Sequence, residues 1–352
     1  MKAKELLLKL VSIQSVSGGE AEIGEFICKY LSDNGLDPKI HEGNVYCSKG
    51  SGKDSLLLTS HMDTVPVCPG WTRNPNKPTD DGGKIFGLGS NDAKGSMAAM
   101  MDAIVSLDES MLDGKVFFSA TVQEEVTNCG IGQVMKKLPR VGAAVVGEPT
   151  GLDICTSMKG LLILKLKAKG RSAHASRPSE GINAIYSAMG DIQRVLALDF
   201  PKSHNQLGKP SIAATMISAG TGNNVIPAQC EFTLNIRSTP FYDNNKLLAL
   251  IEKAVKSEVI VQSIRLNSRT VPEKEKIVLA ARSANSAAAI RGFPAMCDLA
   301  LIDAPGIIMG PGNSAQSHAP DEFIEISQVE KASIIYGKLI KDYFGKKQGK
   351  SR

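Results

Sequence analysis

The feature that most constrains how this chain of 352 residues can fold is a change in the kind of strand it carries. Before residue 160 the strand-length runs, at 55–60, 115–122 and 142–147, are apolar almost throughout. Such runs belong to strands buried on both faces, as in a parallel sheet between helices. From residue 161 onward LLILKLKAK alternates apolar and basic side chains, the pattern of a strand with one wet face.

In the first part, helical patterns at 3–11, 20–33, 95–107 and 130–138 alternate with strands at 38–47, 55–60, 115–122 and 142–147. That order predicts a mostly parallel sheet covered by helices. After the change come a strand at 161–169, a helix at 181–197, strands at 211–218 and 228–237, a helix at 245–257 and a strand at 259–266. This β-α-β-β-α-β order is the split, ferredoxin-like arrangement. Helices at 275–291 and 327–344, with short strands at 296–300 and 306–309, complete the chain. The expectation is an α/β fold in which 161–270, a small α/β sandwich, is inserted between 1–160 and 271–352 of one larger α/β domain. The stretch 61–92 is loop-rich and long, as functional loops are.

Charge and cysteine usage narrow the function classes. The formal net charge is +5, but the last seven residues, KKQGKSR, carry four basic groups and no acid. The remainder is nearly neutral, unlike a protein that presents a basic face to nucleic acid, and the tail is expected to be a frayed terminus. No apolar run reaches the roughly 18 residues of a membrane span. Lys9 interrupts the apolar N-terminal stretch and no small-residue cleavage site follows, which disfavours a secretory signal. Seven cysteines, an odd number with no C-x-x-C pair, argue against a disulfide framework or structural zinc knuckle and for a reducing cytoplasm.

Histidines and acids recur where apolar runs end. SHMD sets His61 and Asp63 two apart, on one side of an extended chain. His61 could ligate a metal while Asp63 accepts its other ring N–H; a hydrogen-bonded surface pair is the plainer alternative. GLGSNDAKG opens like a dinucleotide fingerprint, but Asp92 occupies the third glycine position and would repel a pyrophosphate. QEEV puts Glu124 and Glu125 at a strand end, where neighbouring side chains face opposite ways; one can bind metal while the other serves as base. VGEPT ends another apolar run in Glu148, and GPGNSAQSHAPDEF places His318 in a Gly/Pro-rich loop. Ligands of open α/β sheets bind outside the carboxyl ends of the strands. Two histidines and three carboxylates gathered there would suit two zinc ions.

With these segments in view, the sequence resembles the di-zinc aminoacylase/carboxypeptidase metallopeptidase family, in its acetylornithine deacetylase and succinyl-diaminopimelate desuccinylase branch. SHMDTVP, GLGSNDAKG, QEEV, VGEPT, KGRSAHAS, GTGNNVIPAQ, NIRSTP and GPGNSAQSHAPDEF carry the resemblance, in family order, over residues 57 to 323. It implies a zinc-dependent exopeptidase-like catalytic domain with an inserted ferredoxin-like dimerisation domain, and two divalent ions, zinc or else cobalt or manganese. Asp92 would bridge them. His61 and Glu148 would complete one site, and Glu125 and His318 the other. Glu124 would be the general base and Asp63 the support of His61. His174, in GRSAHAS, would act on the oxyanion across a homodimer; a strand-end histidine with a local hydrogen bond is the alternative.

For the substrate, the resemblance points to Arg237, Asn223 and Asn224 as holding an α-carboxylate, to Lys159 as able to reach a second one, and to a backbone N–H from Gly312. The implied reaction is removal of the acyl group from an N-acyl amino acid, N-acetylornithine first, with a succinyl amino acid or a peptide as the alternatives. A Cys–His hydrolase and a catalytically silent dimeric binding protein are the competing classes. Loss of activity with a chelator and rescue by metal would exclude the former.

Overall fold

The computed structural model describes residues 1–345 and shows two compact units, so the tail discussed above lies outside the described residues. One unit comprises 1–156, 271–291 and the chain from Cys297; the other comprises 157–270 and 292–296.

The first unit is built on a sheet whose central strands, Lys115–Thr121, Ser55–His61, Ala143–Val146 and Gly306–Ile308, run parallel in that spatial order. Antiparallel neighbours flank them: Asn44–Gly50 and Lys39–His41 on one side and Ile154–Met158 on the other. Every residue of Ser55–His61 is buried. Leu56 and Leu58 join the main core, and Leu57 on the alternate face is just as buried. Each such leucine contributes about 1.5–3 kcal/mol relative to leaving it exposed. The helix Gly95–Val105 is apolar nearly all round because it is enclosed. It packs on the helices Ala3–Ser12 and Ile326–Phe344 and on the sheet. Lys49 Nζ closes its C-terminal end by donating to the carbonyls of Ile104 and Val105 (3.1 and 3.0 Å).

Several elements depart from the sequence reading. The strand expected over 38–47 is a hairpin, because Glu42 and Gly43 take positive φ (49° and 80°) and turn the chain. The long helix expected over 275–291 stops at Ala284, and Ile290–Phe293 is a strand. The strand expected at 296–300 is a 3₁₀ turn, Asp298–Leu301. The stretch 61–92 is only partly loop. Thr79–Asp81 and Lys84–Phe86 form a hairpin that is joined by Phe323–Glu325.

In the second unit the sheet order is Ser211–Ala219, Gln229–Arg237, Leu161–Lys169, Glu258–Leu266, all antiparallel. With the helices Ala184–Leu196 and Asn244–Ala254 this is the ferredoxin-like β-α-β-β-α-β topology. Leu164, Leu166 and Ala168 stand opposite Leu234, Phe232 and Cys230, all buried beneath the helices. On the other face Lys165 and Lys167 pair with Glu231, and Lys169 pairs with Glu258. Asn183 and Asp243 cap the two helices through side-chain oxygens that accept from Ile185 N and Lys246 N.

Candidate metal centre and active site

The first unit gathers six of the expected residues. His61 closes the buried strand Ser55–His61, and Glu148 follows Ala143–Val146. Asp92 precedes the buried helix Gly95–Val105, at a cis peptide to Ala93. His318 lies in a loop with φ of 61°. Glu124 and Glu125 do not extend their strand, which ends at Thr121. They sit in a turn in which the N–H groups of Thr127 and Asn128 donate to Gln123 O. Strand alternation therefore does not set their directions.

His61 Nε2 is 3.1 Å from Asp92 Oδ1, His318 Nε2 is 2.9 Å from Glu125 Oε1, and His318 Nε2 is 3.8 Å from Asp92 Oδ2. One ligand atom from each of His61, Asp92 and Glu125 falls within 4.8 Å of the others, a spacing that could hold a metal ion. The two oxygens of Asp92 thus face two different histidines. Among the described residues, no Lys or Arg is ion-paired with Asp92, Glu124, Glu125 or Glu148.

The electrostatics reflect this crowding. Burial and the charges of Asp298, Glu125 and Asp92 push the Glu124 carboxyl well above the ordinary value. Burial, with Asp92, Glu124 and Asp298, does the same to Glu148. Burial opposes a charged His61, yet its bonds to Asp63 and Asp92 outweigh this and hold its pKa well above 6.5. Burial likewise opposes ionisation of Asp92, but His61, Ser317 and His318 keep it low. Clustered acids that suppress one another's ionisation are a favourable setting for cations, which reverse the penalty.

Asp63 does more than support His61. The His61 Nδ1 lies 3.0 Å from the Asp63 main-chain carbonyl and 3.4 Å from its carboxylate. The carboxylate accepts the N–H of Glu124 (3.0 Å), the N–H of Glu125 (3.2 Å) and the hydroxyl of Ser17 (2.6 Å). Asn128 Nδ2 donates to Glu124 Oε1 (2.9 Å) and to Asp298 Oδ1 (3.3 Å). Burial raises Asp298 to about 6. Glu322 accepts backbone N–H groups from the loop that carries Asp92, and burial pushes its carboxyl up to about 7 against those donors. Asp321 straps the loop beyond His61 to the His318 segment by accepting from Thr72 N and Oγ1 and from Arg73 N.

Sequence reasoning missed Ser17, Asn128, Asp298 and Glu322. No local pattern sets Ser17, Asn128 or Glu322 apart from the polar residues beside them; an acid within the apolar CDLALI run was the one available signal for Asp298. For Gly312 the structure requires a correction. Its N–H donates to Gln328 Oε1 (2.8 Å) and is not free for a substrate. A side chain there is also excluded, since a Cβ would stand 2.3 Å from Asn91 Oδ1.

His174, Asn223, Asn224, Arg237 and Lys159 belong to the second unit. His174 Nδ1 accepts from Ser176 N (3.1 Å) and lies 2.7 Å from Ser176 Oγ, so Nδ1 is engaged as an acceptor and Nε2 is the ring nitrogen left to donate. Asn223 and Asn224 lie on the turn before Gln229–Arg237. Burial lowers the pKa of Arg237. Burial, then the neighbouring Arg237 charge, lowers that of Lys159. Neither cation has a carboxylate partner among the described residues.

Residues 57–342 match the sequence profile of peptidase family M20/M25/M40. An acetylornithine deacetylase of Proteus mirabilis is 28% identical over 378 aligned positions, covering 96% of each chain. Among solved structures, an M20 family metallo-carboxypeptidase of Sulfolobus solfataricus superposes with a TM-score of 0.80 at 19% identity, over 97% of this chain and 99% of that one. A dinuclear metal-binding peptidase of the M20 family from Bacillus subtilis superposes with a TM-score of 0.70 at 18% identity, over 96% of each chain.

Proposed function

The chain belongs to peptidase family M20/M25/M40 and is an amide-bond hydrolase of that family, and from this premise we propose that it removes the acyl group from an N-acyl amino acid, N-acetylornithine first among them. The observation that carries the reading is the convergence of His61, Asp92, Glu125 and His318 with the buried Glu148 and with Glu124, a set of acids with no Lys or Arg counter-ion among the described residues. Kinship over more than nine-tenths of the chain with proteins named acetylornithine deacetylase supports the acetyl group, and with it a place in arginine biosynthesis.

The donor set fits two divalent cations. Imidazole nitrogens and carboxylate oxygens suit zinc, with cobalt and manganese as alternatives, and the Bacillus relative is described as dinuclear. Asp92 would serve both cations, since its two oxygens face different histidines. His61 and Glu148 would hold one, Glu125 and His318 the other. When bound, the cations supply Lewis-acid polarisation and a more acidic water.

Glu124 takes a proton from the attacking water as the water oxygen bonds to the acyl carbon. As the C–N bond breaks, it delivers that proton to the departing amine. Asn128 holds the Glu124 carboxylate in place. His174 donates from Nε2 to the developing oxyanion. Arg237, Asn223 and Asn224 bind the α-carboxylate.

His174 acts across a homodimer in this reading. Support comes from the edge strand Ser211–Ala219, exposed along almost its whole length, with Met216 69% and Ile217 56% exposed. An unpaired edge of that kind is suited to strand addition by a second copy. The seven cysteines form no disulfide among the described residues, which supports a cytoplasmic site of action.

The unpaired Arg237 and Lys159 favour one second reading, a succinyl amino acid with an additional carboxylate. Turnover of N-acetyl- and N-succinyl-ornithine, N-acetylcitrulline and succinyl-diaminopimelate by the zinc-loaded protein separates the two. Turnover of none of them would refute both and leave a peptidase.

A further inference from the structure

The loop that presents Asp92 is held by a single buried carboxylate more than two hundred residues away. Glu322 Oε1 accepts the N–H groups of Asn91 (2.8 Å) and Asp92 (3.0 Å), and Oε2 accepts that of Gly89 (2.8 Å). Glu322 is 1% exposed, and its own carbonyl accepts the Gly87 N–H (3.0 Å). Gly89 has φ of 76°, and a Cβ there would meet Thr64 Cγ2 at 2.6 Å. The loop therefore follows a path that few other sequences could take, and one side chain collects its inward-facing donors.

Asp63 performs the matching service for the other ligand-bearing turn by accepting from Glu124 N and Glu125 N. Each of these carboxylates accepts the peptide N–H of the residue whose side chain is a candidate ligand.

We propose that Glu322 is a positioning residue for the metal centre: by accepting three peptide N–H groups it fixes the Asp92 main chain and so the direction of the carboxylate shared by both cations. The proposal rests on the two-cation reading above. A carboxylate is required because it offers two acceptor oxygens. Glutamine has the same shape but would turn an NH₂ group toward at least one N–H, leaving two donors facing each other. Aspartate keeps both acceptors but is one methylene shorter.

The test compares wild type, Glu322→Gln and Glu322→Asp, each stripped of metal and titrated with Zn²⁺ against a chromophoric chelator and with Co²⁺ by visible absorption. Far-UV circular dichroism and gel filtration establish that each is folded. Wild type is expected to take up two ions. Glu322→Gln, folded, is expected to bind 10–100-fold more weakly with a changed Co²⁺ d–d spectrum, and Glu322→Asp to fall between. Wild-type affinity and spectrum in folded Glu322→Gln would overturn the proposal while leaving the two-cation reading intact. Loss of fold in both variants would also overturn it, by assigning Glu322 to the fold. Failure of wild type to bind metal would instead refute the reading on which it rests.

Discussion

Asp63→Asn separates the two jobs that a buried carboxylate can do beside a metal ligand. The native side chain is fully buried and accepts three short bonds, from Glu124 N, Glu125 N and Ser17 Oγ. Asparagine retains one acceptor oxygen. If that oxygen keeps Ser17 and Glu125, the new NH₂ faces Glu124 N–H. One hydrogen bond to a charged group, about 1.5–3 kcal/mol, is lost, and a donor is left buried. A loss of about 3 kcal/mol follows. At roughly 2 °C per kcal/mol for a chain of this size, the apo-protein should melt about 6 °C lower. The turn that carries both Glu124 and Glu125 would also shift, and a displacement of about 1 Å costs on the order of 100-fold in rate. Thermal melts of metal-free protein and initial rates on N-acetylornithine with saturating zinc measure the two effects separately. A variant that melts within 2 °C of wild type and turns over within threefold of it would refute the reasoning. A variant that lost metal affinity with an unchanged apo melting point would show that Asp63 acts through His61 alone.

Other consequences can be measured independently. Glu124→Ala should lower kcat by about 10²–10⁴-fold; a loss of less than tenfold would remove Glu124 from the role of base. Chelation should abolish activity and lower the melting temperature, and added zinc should restore both, because the acids around Asp92 lose the charge that offsets their repulsion. In the second unit, the buried Asp191 accepts from Lys256 N and Ser257 N (2.9 Å each), from the Ser257 hydroxyl and from Arg194, which hold its pKa low although burial opposes them. Its stabilisation is complete above the unfolded value, about pH 4, and is lost as pH falls through the lower folded value. The stability gap between wild type and Asp191→Asn should therefore shrink below about pH 4, and denaturant melts showing a constant gap would contradict this. Met216→Lys, on the exposed edge strand, should convert a dimer to monomers in gel filtration and reduce turnover if His174 acts across the interface; an active monomer would refute that role.

What the sequence determined by itself was local and periodic. The alternation of LLILKLKAK specified a strand with one apolar face, and the apolar closure of Gly95–Val105 specified an enclosed helix, because side-chain direction follows directly from backbone period. His61, Glu124, Glu125 and Glu148 drew notice because they stand where an apolar run ends, His318 because it lies in the Gly/Pro-rich loop after another, and Asp92 because it precedes the apolar helix. Tertiary structure alone decided whatever depends on partners remote in the chain. Glu322 looks like any loop acid until Gly89, Asn91 and Asp92 bring their N–H groups to it across 230 positions or more. The Gly312 N–H looked free until Gln328 reached it. Glu124 and Glu125 looked like strand residues, yet their N–H groups leave the ladder for the Asp63 carboxylate sixty positions earlier. A buried N–H must find an acceptor, and no local pattern of residues records which distant side chain supplies it.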